Sequence, residues 1–157
     1  MRAVVQRVTR AEVRIEGVAI GAIGAGLAIL LGVGREDGEG EADRLAVRLA
    51  RLRIFPDASG RFDRSLLDSG GSALVVSQFT LYGDSARGHR PSFSGAADPE
   101  LAEPLYERVC ERLAAEGVRS VERGRFGAHM QVELVNDGPV TIVVELGRKL
   151  GTPLPGP

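Results

Sequence analysis

The sequence predicts an α+β fold: a curved, mostly antiparallel sheet or open β-barrel with two main helices packed on it. Strand-patterned apolar segments recur along most of the chain, while helical periodicity is confined to residues 40–53 and 98–116. The 157 residues, 43% hydrophobic and 26% charged, have the balance of a globular chain and are long enough to bury a sizeable core. Residues 1–150 are expected to form one domain, and the Gly/Pro-rich residues 151–157 a frayed tail.

The first third supplies strands and one helix. Ala3, Val5, Arg7 and Thr9 alternate with Val4, Gln6 and Val8, and Val13 and Ile15 extend the pattern to a turn at Glu16-Gly17. The glycines from Gly21 to Gly26 invite a phosphate-loop reading. Leu27 to Val33, however, reads as a buried strand and not as a helix with a free N-terminus, so close strand packing or a bulge explains them better. After a polar break at Asp37 to Gly40, Ala42, Leu45, Ala46, Leu49 and Leu52 fall on one helical face.

Ile54 to Leu67 carry the turn signals Pro56-Asp57 and Ser59-Gly60, which predict short strands around a hairpin. Leu74 to Leu81 reads as a buried strand, and Asp84 to Ala97 as a long polar loop whose Arg87, His89 and Arg90 are candidates for phosphate contact. Asp98-Pro99 then predicts an N-cap followed by proline at the first helical position. Leu101, Leu105, Val109 and Leu113 form the next helix's stripe, Gly117 stops it, and Cys110 reads as packed core. Val118 to Leu146 complete the sheet.

Composition narrows the function. A net charge of −1 does not announce a nucleic-acid binder, so such a partner needs a local basic patch. Lys149 is the single lysine, and the excess of arginine is better explained by codon usage than by phosphate binding. One cysteine and two histidines, His89 and His129, exclude an intrachain disulfide and a Cys/His metal cluster, so neither metal nor cofactor is expected. No apolar run approaches a membrane span, and Gln6, Arg7 and Arg10 interrupt any signal-peptide core. A cytoplasmic location is expected.

Two stretches carry the candidate chemistry. Asn136-Asp137-Gly138-Pro139-Val140-Thr141 separates two apolar runs, and as local chemistry it reads as a hairpin-type connection. The proline after glycine removes a backbone donor and departs from a plain two-residue turn. Ser77-Gln78-Phe79-Thr80-Leu81 places polar residues at the end of an apolar strand, where they need partners or serve a ligand. Together these stretches resemble the two signature motifs of the D-aminoacyl-tRNA deacylases. Met1 to Val8, Gly70-Gly71-Ser72 and Arg87 to Phe93 are also similar to that family, so the resemblance covers roughly residues 1–146.

The resemblance implies hydrolysis of the ester joining a D-amino acid, or mischarged glycine, to the terminal adenosine of tRNA. It implies a homodimer in which a cis Gly138-Pro139 enters the partner's pocket, with Ser77, Gln78, Phe79 and Thr80 lining the other wall. Phe126 and Met130 match positions near the terminal adenine, and Arg7 one that orients the Gly-Pro segment. His129 departs from the pattern, where the family often carries an acid. The implied mechanism leans on the substrate's ribose hydroxyl and on main-chain donors, with little side-chain chemistry. From the residues alone, Thr80 is a nucleophile without an adjacent base, Phe126 and Met130 are equally core residues, and Arg7 equally a surface charge on an edge strand. The competing classes are a non-catalytic RNA- or peptide-binding β-domain and a metal-dependent hydrolase. The low aromatic content of 4% weighs against the first, and the scarcity of Cys and His against the second.

Overall fold

The computed structural model describes residues 1–86 and 88–147. Arg87 and the tail at 151–157 therefore lie outside the described residues. Strand β1 (Arg2–Ile15) turns through Glu16 and Gly17, both at positive φ, into β2 (Val18–Ile23). Two left-handed residues match the twist of a tight hairpin. Next come β3 (Gly26–Gly32), α1 (Glu39–Arg51), the small hairpin β4 (Phe55–Pro56) and β5 (Phe62–Arg64), and the one-turn α2 (Leu66–Ser69). Then follow β6 (Ser72–Ser77), α3 (Pro99–Ala115), β7 (Val121–Arg123) and β8 (Gln131–Glu145).

The long β1 organises the sheet. Its edges pair antiparallel with β8 on one side and with β3, then β2, on the other. Beyond β3 the sheet turns parallel, β3 to β6 to β7, and β2 approaches β7 so that the sheet nearly closes. The expected α+β architecture holds, with a parallel segment inside a mostly antiparallel sheet. The glycine-rich stretch serves close packing: a Cβ on Gly26 would lie 1.9 Å from the Ser72 carbonyl oxygen.

β3 and β6 are buried on both faces, which is why they read as continuous apolar runs. Leu27, Ile29, Leu31, Ala73 and Val75 face the helices, packing with Leu45, Leu49, Tyr106 and Leu113. Ala28, Leu74 and Val76 face the barrel interior with Val8, Val13 and Ile23. Each fully buried leucine contributes about 1.5–3 kcal/mol of transfer free energy. The helices also meet through Arg108, which donates from Nε and NH2 to the Asp43 carboxylate at 2.8 and 2.9 Å.

Three expectations on the helices shift in detail. Ala50 rather than Leu52 completes the buried face of α1, because Leu52 already stands at the C-cap. On α3, Leu101 is exposed and the buried face starts at Ala102 and takes in Tyr106, while Cys110 is packed core as expected. Asp98 occupies the N-cap, but its side chain makes no capping bond; its carbonyl accepts from Ala102 N at 2.9 Å.

Candidate active site

The expected strand Leu74 to Leu81 ends early, at Ser77. The ladder runs out because β3 stops at Gly32, and the last bond is Gln78 N to the Leu31 carbonyl at 2.8 Å. Phe79–Tyr82 then form one 3₁₀ turn, closed by Leu81 N to Gln78 O and Gly83 N to Thr80 O. The amides of Phe79 and Thr80 open this turn and donate to no group among the described residues. Such free N–H groups, facing an exposed side, can bind developing negative charge. Gln78 Nε2 donates to Thr80 Oγ1, and among the described residues no histidine or carboxylate hydrogen-bonds that hydroxyl.

Four contacts brace the turn. Phe93 meets Phe79 edge-on, with ring centroids 5.2 Å apart. Asp84 and Ser92 exchange both backbone hydrogen bonds, at 2.7 and 2.8 Å, tying the base of the following loop. Arg2 NH1 donates to the Leu81 carbonyl at 2.9 Å, and its guanidinium lies 4.6 Å from the Tyr82 ring centroid. Tyr82 donates to Asp37 Oδ2 at 3.2 Å, and burial together with that carboxylate keeps the phenol protonated. Sequence reading gave Arg2, Tyr82 and Phe93 no role. The only signal was that they sit inside or beside the stretches that carry the resemblance.

The second motif is not a hairpin. Residues on both sides of it pair with the same strand in the same direction, Asn136 with Val8 and Thr141 with Gln6. Arg7 alone on β1 thus faces the four residues from Asp137 to Val140, and β8 swings outward as a large bulge. Asp137, Gly138 and Pro139 are exposed, Gly138 has φ +131°, and the Gly138–Pro139 peptide is cis.

Arg7 holds the bulge. Far from being a surface charge on an edge strand, it lies in the middle of the sheet and is only 7% exposed. Its Nε donates to the Asp137 carbonyl at 3.1 Å and lies 3.2 Å from Asp137 Oδ2. NH1 donates to the Ile54 carbonyl at 2.6 Å, and the guanidinium sits 5.3 Å from the Phe62 ring centroid. Gln6 Nε2 adds a bond to Asn136 Oδ1 at 2.7 Å.

Phe126 and Met130 follow β7 and lie past its end, at the level where β6 runs out. Both are half-buried. Phe126 packs on Tyr106, with centroids 6.1 Å apart, and the Met130 sulfur accepts from Arg125 N at 3.3 Å. Cys110 is fully buried, and burial pushes its thiol up to about 12, which leaves no nucleophile there.

Within one chain the motifs do not meet. Ser77 pairs with Leu31, Leu31 with Ala3, and Ala3 with Val144, whereas the bulge lies opposite Arg7. Three strand spacings and four residues of rise separate them by roughly 20 Å along the sheet. Phe126 and Met130 share the end of the sheet with Ser77 to Thr80; Arg7, Gly138 and Pro139 form a separate group.

Comparison with known proteins places this geometry. The family model described as D-Tyr-tRNA(Tyr) deacylase matches residues 4–145, a span that contains both motifs. The chain belongs to that family. Among relatives, a D-aminoacyl-tRNA deacylase of Roseiflexus castenholzii is 62% identical over 145 residues, 92% of each chain. One of Symbiobacterium thermophilum is 59% identical, covering 92% of this chain and 95% of the relative. A solved structure named c-Myc DNA Unwinding Element Binding Protein superposes with a TM-score of 0.89 at 42% identity, over 94% of this chain and all of that one. No helix among the described residues of this family member is long and apolar enough to cross a membrane.

Proposed function

We propose that this protein hydrolyses the ester linking a D-amino acid, or mischarged glycine, to the terminal adenosine of tRNA, and so proofreads chirality in the cytoplasm as a homodimer. Water adds to the ester carbonyl, the C–O bond to the ribose breaks, and the free amino acid and tRNA leave. The Phe79 and Thr80 amides hold the developing oxyanion, and the substrate's neighbouring ribose hydroxyl assists the water. Phe126 and Met130 flank the adenine. The Gly138-Pro139 backbone of one protomer fences the pocket formed by Ser77 to Thr80 of the other and rejects an L side chain by position.

The separation of the two motifs carries this reading. Each is exposed and braced, yet they lie on different parts of the chain, which supports a site completed by a second copy. The surface of β8 supports such a partner, with Val132, Val135 and Val143 each at least 39% exposed on a strand paired on one side only among the described residues.

Subunit complementation tests it. A variant disabled at Gly138 is mixed and refolded with one disabled at the Phe79–Thr80 turn, and D-aminoacyl-tRNA hydrolysis is measured. With shared sites, half the dimers are mixed and one site in each is intact, restoring about a quarter of native activity. No recovery, with dimers formed, rejects the composite site. Failure of the native protein to hydrolyse any D-aminoacyl-tRNA rejects the function.

A further inference from the structure

We infer that an arginine ridge running from the outer face of α1 to the β4–β5 hairpin is the docking surface for the phosphate backbone of the tRNA acceptor arm. The inference rests on the proposed deacylase function for its partner, but the surface itself follows from charge and position. The two clefts along this ridge are lined by six arginines, Arg44, Arg48, Arg51, Arg53, Arg64 and Arg112, against three aspartates, in a protein of net charge −1. All six are exposed.

Helical spacing puts Arg44, Arg48 and Arg51 on one side of α1, about 10 Å end to end, and the two extended residues that follow add about 7 Å more. Arg53 then continues the line. Two open clefts, of about 550 and 660 Å³, meet where both are lined by Arg51 and Arg53. The ridge ends beside the bulge, because the residue after Arg53 is Ile54, whose carbonyl accepts from Arg7, the side chain that holds Asp137. A backbone lying along the ridge would deliver its 3′ end to the Gly138-Pro139 fence.

Most of the acids on this face are held in exposed pairs: Arg44 with Glu41, Arg51 with Glu116 at 3.2 Å, Arg53 with Asp63, Arg61 with Asp57 at 4.0 Å, and Asp43 with Arg108, while Arg48 pairs with no acid among the described residues. Exposed pairs of this kind hold weakly, so their guanidinium groups are free to exchange a carboxylate for a bidentate phosphate contact.

The test combines Arg48→Ala with Arg51→Ala, and separately Arg53→Ala with Arg64→Ala. Arg14→Ala, at the β1–β2 hairpin and paired with Glu12, is the control. Binding of uncharged tRNA is titrated at several salt concentrations, and hydrolysis of a D-aminoacyl-adenosine, which has no phosphate backbone, is followed in parallel. Each double variant that folds should bind tRNA about tenfold more weakly, with the log–log salt slope shallower by about one for each phosphate it no longer neutralises. Hydrolysis of the small substrate should not change. Unchanged tRNA affinity and slope, or an equal weakening in Arg14→Ala, overturns the ridge. Because binding is read without turnover, a failure of native hydrolysis counts against the deacylase function and not against this surface.

Discussion

The Phe79–Tyr82 turn is held by several separate contacts: Gln78 to Thr80, Phe79 to Phe93 and the Asp84–Ser92 bridge close by in sequence, and Arg2 and Asp37 from farther away. The Asp137–Val140 bulge is held from the far end of the chain, by Gln6 and Arg7 at a sequence separation of 130. In the proposed reaction the turn would present backbone amides and the bulge a backbone fence, so neither would depend on reactive side chains. They differ in what deforms them. Losing one brace should loosen the turn only in a small step, whereas losing Arg7 should release the bulge altogether.

The largest effect is therefore expected at Arg7. Arg7→Ala strips a donor from the Ile54 carbonyl and both interactions from Asp137, at a cost of about 2–4 kcal/mol in urea unfolding. The freed bulge should lower the ratio of D- to L-aminoacyl-tRNA hydrolysis by at least about tenfold. Arg7→Lys should recover only part of this, because a single ammonium cannot reproduce the fork. A folded Arg7→Ala protein with native D-over-L selectivity would mean that the bulge holds its own shape.

Gly138→Ala comes next. Its φ of +131° disfavours an L side chain, and the new Cβ would stand 2.9 Å from Val140 Cγ2 and 3.0 Å from Val140 N. Adopting that backbone costs about 1–3 kcal/mol, which the exposed bulge would relieve by moving. The global unfolding midpoint should change less than for Arg7→Ala, while selectivity still falls. A variant that loses stability but keeps native selectivity would demote this segment to a structural feature.

This difference also explains what the sequence made legible. Alternation placed β1, the buried runs of β3 and β6, and both long helices, because each of those patterns is local. The end of β6 was misplaced, since Ser77 is its last residue only because β3, from elsewhere in the chain, has stopped pairing. Asn136 to Thr141 has good turn chemistry, but only its partner strand distinguishes a hairpin from a bulge. Arg7 looked like a surface charge for the same reason, as Ile54 and Asp137 are remote in sequence. The resemblance singled out these positions without supplying the contacts that hold them.

On the turn, Thr80→Ala removes an exposed hydroxyl that accepts from Gln78 but leaves the Phe79 and Thr80 amides in place. Turnover on D-aminoacyl-tRNA should fall less than about tenfold, a transition-state change below roughly 1.4 kcal/mol. Complete loss of turnover with native fold and tRNA affinity would instead make Thr80 the nucleophile.

The smallest effect is expected at Phe93. Its ring meets Phe79 edge-on and borders Gly83, where a Cβ would come 3.0 Å from Phe93 Cε1, so it fills space directly behind the turn. Phe93→Leu keeps apolar bulk but removes the edge-to-face interaction, worth about 0.5–1.5 kcal/mol beyond the buried area. Because the other braces remain, the turn should loosen rather than unfold. Loosening lets the two amides wander from the oxyanion position, which acts on the transition state more than on the bound substrate. The expected result is a kcat lower by a few-fold with KM nearly unchanged, and recovery in Phe93→Tyr, which keeps the ring. D-over-L selectivity should stay native, since the fence belongs to the other motif. A fall in selectivity comparable to that of Arg7→Ala would show that turn and bulge are not independently supported, and the contrast between a turn with several braces and a bulge that hangs on Arg7 would no longer hold.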